Sequence, residues 1–490
     1  MSLPDLLQES LQESVIARQS TRPLLLNQVA FTGAEFSDKY YHTLVTPLFN
    51  EEHSNVIPLS KLNHELGRIQ DTLLYTGLFK NITVKLDLAE ELTAPITKGQ
   101  SNLASSTIPV NAQFKLEQLP LFKFASSSRT SDTTSSVGFH YLDPNLLKQA
   151  CSLLVDINVN YDPLNNKINS KIWDLTFLKP LEKYPQTRAI LNPVISSVDA
   201  SSWANHEQYS VGALLGLQST KLHTGCACGP ATSIFTTGVS FINRQIRNVS
   251  NTASDSIRAG AGNDFKLSAN FNYKLDSRKQ TGKFSTDGVF VDFTNELAGY
   301  NTADVFADSS NHTPLESFNK SILRIQSFKS FFNQALTGEV DFETGLIFQK
   351  SNDSIPLIDR FTLGGLNSLR GFHLNSVGPK DGEDFIGGSS IFRTNLSLYS
   401  KIPNISVTSP LRLHTFLNIG DVFNFKDVAE FKKYTLNGDL FNKSALATGV
   451  GLVYRDENAL VDLSYNVPLN VRGDDIAKPG FGFSVALRFA

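Results

Sequence analysis

The sequence predicts a small α+β unit followed by an all-β, sixteen-stranded transmembrane β-barrel. Three observations carry that expectation. Residues 24–119 mix helical and strand periodicity, whereas beyond them the chain alternates apolar and polar residues in long runs. Its aromatics are those that suit strands, 35 Phe and 13 Tyr beside 2 Trp, interleaved with Ser, Asn and Thr. The connections between runs are long on one side and short on the other, the asymmetry of a membrane barrel.

Composition narrows the function classes. The net charge of -3 gives no basic field for nucleic acid. No run of apolar residues reaches the ~18 that a transmembrane helix needs. A membrane barrel is compatible with that, because only every second residue of its strands faces lipid. Residues 1–23, "MSLPDLLQESLQESVIARQSTRP", read as a flexible tail. They lack the basic start and apolar core of a secretory signal and are acidic where a transit peptide is Arg-rich, so synthesis in the cytosol is expected. Of the 3 cysteines, Cys226 and Cys228 in "GCACGP" look like half a metal site, but no second cysteine pair or nearby His pair completes it. No metal and no cofactor is expected. His42, His53 and His64 fall on different elements and read as surface positions.

In chain order, "LLLNQVAFTG" (24–33) reads as a strand closed by Gly33. Ser37 or Asp38 is placed to cap the helix that follows. A stronger helix spans 58–79, opened at Pro58 or Ser60, striped by Leu62, Leu66, Ile69, Leu73 and Leu74, and stopped by Gly77. Strands at 80–88 and 108–119 complete a β-α-α-β-β order in residues 24–119.

From residue 120 to 490 sixteen runs read as strands: 120–128, 134–142, 151–161, 167–178, 187–198, 207–219, 232–243 and 263–276, then 283–294, 321–331, 335–349, 388–400, 411–419, 446–455, 459–467 and 479–489. In "DFKLSANFNYKLD" (264–276), Phe265, Leu267, Ala269, Phe271, Tyr273 and Leu275 share a face opposite Lys266, Ser268, Asn270, Asn272 and Lys274. In "LTGEVDFETGLIF" (336–348), Glu339, Asp341 and Glu343 oppose Val340, Phe342, Leu346 and Phe348 and are expected to face inward. Strands of a soluble sandwich are typically about 5–6 residues, whereas runs of about 9–13 cross a bilayer at a tilt. Closure follows from the medium, since an open edge in lipid leaves backbone groups unpaired at several kcal/mol each. The longest connections, 295–320, 350–387 and 420–445, all follow odd strands and so share the far face.

One of these connections carries a motif. "DRFTLGGLNSLRGFHLNSVGP" (359–379) breaks the alternation with Gly364, Gly365 and then Leu369-Arg370-Gly371-Phe372. With "YTGLFKNITVKL" at the turn of the first unit, and "FLNIGDVF", "ATGVGL" and "DLSYNVPL" following in order, the chain resembles the outer-membrane barrel-assembly superfamily. The resemblance identifies the first unit (24–119) with a POTRA domain. With its single POTRA-like unit, the chain is similar to the mitochondrial branch, the barrel subunits of the sorting and assembly machinery.

The resemblance implies that the sixth far-side loop (350–387) folds into the lumen and that Arg370 contacts the inner wall. Relatives carry an F-x-D segment there; here it is Phe416-Leu417-Asn418, so the expected partners are Phe416 and Asn418, or Glu339, Asp341 and Glu343 instead. A second pattern, "KPGFGFSV" (478–485), matches the signal that barrel clients carry in their last strand, with Lys478, Gly480, Phe483 and Val485 in its slots and Gly482 between. It marks one side of a lateral gate.

The implied function is insertion of β-barrel precursors into the mitochondrial outer membrane, without enzymatic chemistry, with the POTRA domain in the intermembrane space. Implied partners are β-barrel precursors, peripheral subunits on the cytosolic face, membrane lipids and an inner-membrane contact-site complex. A passive pore or a polypeptide-secretion translocator of the same superfamily is the alternative.

Overall fold

The computed structural model describes residues 20–489 except 35, 50–55, 77, 90–107, 119–123, 132–133, 164–165, 182–183, 185, 224–230, 282–283, 302–315, 350–354, 407–408, 426–442 and 457. Two compact units divide the chain: residues 1–121 with 143–153 and 178–188, and the remainder. Gly77, His53, Cys226, Cys228 and most of the N-terminal tail lie outside the described residues.

The first unit is built on a four-stranded sheet. Its strands are β1 (Pro23–Thr32), β2 (Val56–Pro58), β3 (Phe79–Leu88) and β4 (Ile108–Gln118), in the spatial order β2-β1-β4-β3. β1 and β4 are parallel, and the other two pairings are antiparallel. Helix α1 (Asp38–Val45) starts at Ser37, whose hydroxyl accepts the Tyr40 amide at 3.3 Å and so satisfies a first-turn donor. Helix α2 (Leu59–Leu74) begins after Pro58, whose fixed φ suits the approach to a helix. Leu62, Leu66, Ile69 and Leu73 of α2 are buried with Leu26 and Phe114 in one core.

Two expectations change here. Leu74 is 41% exposed, because one residue beyond Leu73 turns a side chain about 100° around the helix, off the buried stripe. The order also gains β2, whose three residues are too few to show alternation in the sequence.

Sixteen long strands close the second architecture into a barrel. The first eight are β5 (Phe124–Ser131), β6 (Ser135–Leu146), β7 (Cys151–Asp162), β8 (Lys167–Pro180), β9 (Thr187–Asp199), β10 (Glu207–His223), β11 (Ala231–Arg247) and β12 (Gly262–Asp276). A three-residue strand, β13 (Lys279–Thr281), pairs beside β14 (Phe284–Asn301). β15 (Glu316–Phe331) and β16 (Leu336–Gln349) follow. The next connection contains a small hairpin, β17 (Lys380–Asp381) with β18 (Asp384–Phe385). β19 (Ser390–Lys401), β20 (Leu411–Phe423), β21 (Ala445–Arg455), β22 (Ala459–Asn470) and β23 (Gly480–Phe489) complete the wall, and β23 pairs with β5 to close it.

Within the described residues every run read as a strand is one, with shifted ends; 120–123 and 283 lie outside those residues. β14 reaches Asn301 and β15 starts at Glu316, beyond the predicted 294 and 321, because Asn295, Gly299 and Asn301 are weak strand formers and dilute the alternation. The sixth connection ends at Ser389 rather than 387. The sequence shows no helix past residue 119, yet α3 (Asp255–Ala259) stands in the connection 248–261. Its five residues are too short to register a helical period.

The two faces of the wall differ as the pleat requires. Leu215, Leu217, Val239, Phe241, Leu267 and Phe271 project outward and are 37–50% exposed. Inward positions carry polar groups that satisfy one another, such as Asn272 donating to Asp292 at 2.7 Å and Arg324 held by both oxygens of Asp341 at 3.0 Å.

Candidate functional site

The described part of the sixth connection, 355–389, is as buried as a core: Leu363 and Leu369 are fully enclosed, and Phe372 and Val377 are 2% exposed. Antiparallel bridges fold it on itself, Phe361 to Gly388, Leu363 to Val377 and Gly365 to Leu369. Two glycines make the fold possible. Gly364 has φ +128°, and a Cβ there would stand 2.2 Å from the His373 carbonyl oxygen. Gly371 has φ +84°, and a Cβ would press on the Ala447 methyl at 2.9 Å. Only glycine takes such positions without strain.

That folding delivers Arg370 to the inner wall. Its Nη1 and Nη2 donate to the two oxygens of Asp462 on β22 at 3.0 and 2.7 Å, a bidentate fork, and Nη1 also reaches the Ser464 hydroxyl at 3.4 Å. The guanidinium carbon sits 5.0 Å from the centre of the Phe416 ring. A charged fork with planar geometry is the strong form of hydrogen bond, and a ring face adds about 0.5–2 kcal/mol.

The expected partner set is therefore corrected. Phe416 lies beneath the guanidinium, but the anion is Asp462 and not Asn418, Glu339, Asp341 or Glu343. Asn418 is buried in register between Asn395 and Ala447, and the hydrogen bonds of the Arg370 guanidinium go to Asp462 and Ser464 instead. Glu339 accepts the Tyr399 hydroxyl at 2.9 Å. Asp341 holds Arg324, and Glu343 accepts both Arg393 Nε at 2.9 Å and Nη2 at 2.6 Å. Neighbouring strands thus consume the acidic ladder of β16. The signal for Asp462 was present in the sequence, since it is the only charged residue among the inward positions of β22.

The same loop is sewn to the connection that enters the last strand. Gly371 O accepts the Lys478 amide at 2.7 Å, the His373 amide donates to Ile476 O at 3.0 Å, and Phe372 bridges to Ala477. The Ile476 amide donates to Ser376 O at 3.2 Å, and the Gly378 amide to Asp475 Oδ1 at 3.1 Å. Arg472 fixes Asp475 at 2.7 Å. Farther along the loop, the acidic hairpin in "PKDGEDFIGG" caps α3: Asp384 accepts the Ser254 amide at 2.7 Å and Asp381 the Ser256 amide at 3.0 Å. The Ser256 hydroxyl and amide hold the Asp381 carboxyl below its ordinary range.

Lys478 precedes the last strand, and Gly480, Gly482, Phe483 and Val485 lie on it. Gly482 pairs with Ser464, Phe483 with Leu463 and Val485 with Val461. A Cβ at Gly482 would meet Asn466 Nδ2 at 2.7 Å and Leu366 of the long loop at 3.0 Å, so loop and last strand touch here. On its other edge β23 pairs with β5 over six residues, from Ser484 against Ser131 to Phe489 against Ser126. Gly480 to Phe483 have no described partner on that side. At the seam Val485, Leu487 and Phe489 of β23 lie opposite Thr130, Ser128 and Ser126, so the outward face of β5 carries hydroxyls beside apolar side chains.

The fold and this site define a class, a transmembrane β-barrel whose lumen holds an arginine-anchored loop. The chain belongs to the Omp85 superfamily, whose domain matches residues 122–489. A SAM50-like protein of Schizosaccharomyces pombe is 25% identical over 486 residues, covering 98% of this chain and 94% of that protein. The sorting and assembly machinery component 50 homolog of Mus musculus is 29% identical over 251 residues, 50% of each chain, so the match spans about half the length of that relative. Among solved structures, BamA from Haemophilus ducreyi lacking POTRA domains 1–3 aligns over 95% of this chain and 85% of its own with a TM-score of 0.66 at 14% identity, a likeness of fold.

Proposed function

We propose that this protein inserts and assembles β-barrel precursors in the mitochondrial outer membrane, as a member of the sorting and assembly machinery. The observation that carries the reading is the seam. Among the described residues β23 meets β5 through six residue pairs, against seven for β5–β6, eight for β22–β23 and seventeen for β10–β11. In lipid every backbone group needs a partner, so the wall opens most cheaply where the fewest pairs break. A precursor strand then adds to the freed edge by β-augmentation, replacing the broken pairs with its own. Successive hairpins follow, and the new barrel separates. No covalent step is involved.

Residues 24–119 act in this reading as a POTRA domain in the intermembrane space, where they receive or hand over precursors. Arg370 and Asp462 keep the long loop against β22 while the β23 edge is free. Peripheral subunits on the cytosolic face, an inner-membrane contact-site complex and surrounding lipids complete the working assembly. The likeness to SAM50 homologues supports this reading.

The test is import of radiolabelled porin into mitochondria depleted of this protein. Porin assembly falls on depletion and returns when the full chain is restored. Normal porin assembly after depletion, together with ion conductance by the reconstituted protein, would support a passive pore instead.

A further inference from the structure

Arg370 is one end of the long loop's attachment. The other end is Asp359, which opens the "DRFTLGG" stretch and is 4% exposed. Its Oδ2 accepts Arg244 Nη1 at 2.5 Å and its Oδ1 accepts Lys266 Nζ at 2.9 Å. Its backbone carbonyl accepts Lys320 Nζ at 2.7 Å. These cations come from β11, β12 and β15. Arg244 also forks onto Asp264 at 2.6 and 2.7 Å, and Lys266 reaches Glu296 on β14 at 2.8 Å.

The charge balance of this socket is informative. The wall alone supplies three cations, Arg244, Lys266 and Lys320, against two carboxylates, Asp264 and Glu296. It carries one unmatched positive charge, which the loop's Asp359 neutralises. At the other end the wall offers the negative Asp462 and the loop supplies the positive Arg370. A buried charge without its partner is strongly unfavourable, so each socket accepts only its own end of the loop.

We propose that Asp359 is a second positioning residue of the insertion machinery, and that the long loop is a charge-keyed strut. It joins the β11–β15 wall to the β22–β23 side of the seam, eleven residues from Asp359 to Arg370. With both ends held, the 471–479 connection and Leu366 against Gly482 fix the approach to the last strand. With the Asp359 end released, the arginine fork remains but the loop no longer sets the position of that edge. The inference rests on the insertion function proposed above.

The test separates positioning from charge balance. Full-length chains carrying Asp359→Asn, Lys266→Gln, both together, or Arg370→Ala replace the native protein in mitochondria, and barrel abundance and porin insertion per barrel are both measured. Asp359→Asn strands a cation and lowers abundance. The double variant removes that cation, so its abundance recovers while insertion per barrel stays down about tenfold, the size of a tightly coupled pair. Recovery of insertion together with abundance would overturn the proposal, because Asp359 would then serve charge balance alone. If Arg370→Ala leaves insertion per barrel unchanged, the loop's part in the underlying reading fails, and the strut with it. Loss in Arg370→Ala with full insertion in the double variant removes the strut and spares that reading.

Discussion

The wall at β10–β11 and the seam at β23–β5 are made of the same kind of strand and differ in how they are joined. The former has seventeen paired residues with Leu215, Leu217, Val239 and Phe241 projecting outward. The latter has six pairs among the described residues, and its β5 side turns Ser126, Ser128 and Thr130 outward. The long loop attaches beside this weaker join, through Asp462 and Ser464 on β22 and the 471–479 connection. Among the described residues β23 is thus joined by fewer pairs than β10–β11 on one edge and is braced by the long loop behind the other. In the proposed function a joint of that kind opens on one side without losing the fold.

The largest expected effect comes from abolishing the difference. Ser128→Cys with Leu487→Cys joins a directly paired position across the seam, and Leu215→Cys with Val239→Cys does the same at β10–β11. Oxidation of the seam pair lowers precursor insertion by at least about tenfold, equivalent to roughly 1.4 kcal/mol, and reduction restores it. Oxidation of the β10–β11 pair leaves insertion unchanged. Import assays with and without reductant read both.

Next in size is removal of the brace. Arg370→Ala leaves Asp462 buried without its cation, a loss of about 3–5 kcal/mol for a buried pair broken on one side. Amide hydrogen exchange accelerates in β22 and β23 and stays slow in β10 and β11. Gly364→Val acts on the same brace through the backbone. Its positive φ and the His373 carbonyl both oppose a side chain, at about 1–3 kcal/mol for the strained residue, and loop protection against protease drops. The smallest change is Phe416→Leu, which keeps bulk but removes the ring face under Arg370. It costs about 0.5–2 kcal/mol and gives a modest rise in exchange of the 471–479 connection.

Much of this fold was legible because lipid imposes a period of two on every strand. Lys266, Asn270 and Lys274 against Leu267, Phe271 and Leu275 predict a face before any coordinates. The count of sixteen follows from the same pattern. Strand ends were less legible, since "NELAGYN" continues β14 with residues that favour no strand. The partner of Arg370 was missed for a different reason. Its identity depends on which of several inward carboxylates is still unclaimed, and Arg324 and Arg393 had already taken Asp341 and Glu343. Competition of that kind is settled in three dimensions, although the alternation of β22 already marks Asp462 as its one inward charge. The Asp359 socket escaped similarly, because its cations are spread over β11, β12 and β15, from Arg244 to Lys320.

The central claim, that precursors enter between β5 and β23, is tested most directly by crosslinking a precursor arrested during import. Single cysteines at Ser128 in β5, at Val485 in β23 and at Val239 in β11 are paired with a cysteine in the precursor's last strand. The account predicts adducts from the β5 and β23 positions and none from β11. Absence of adducts at both seam strands, or equal adducts at β11, would contradict it.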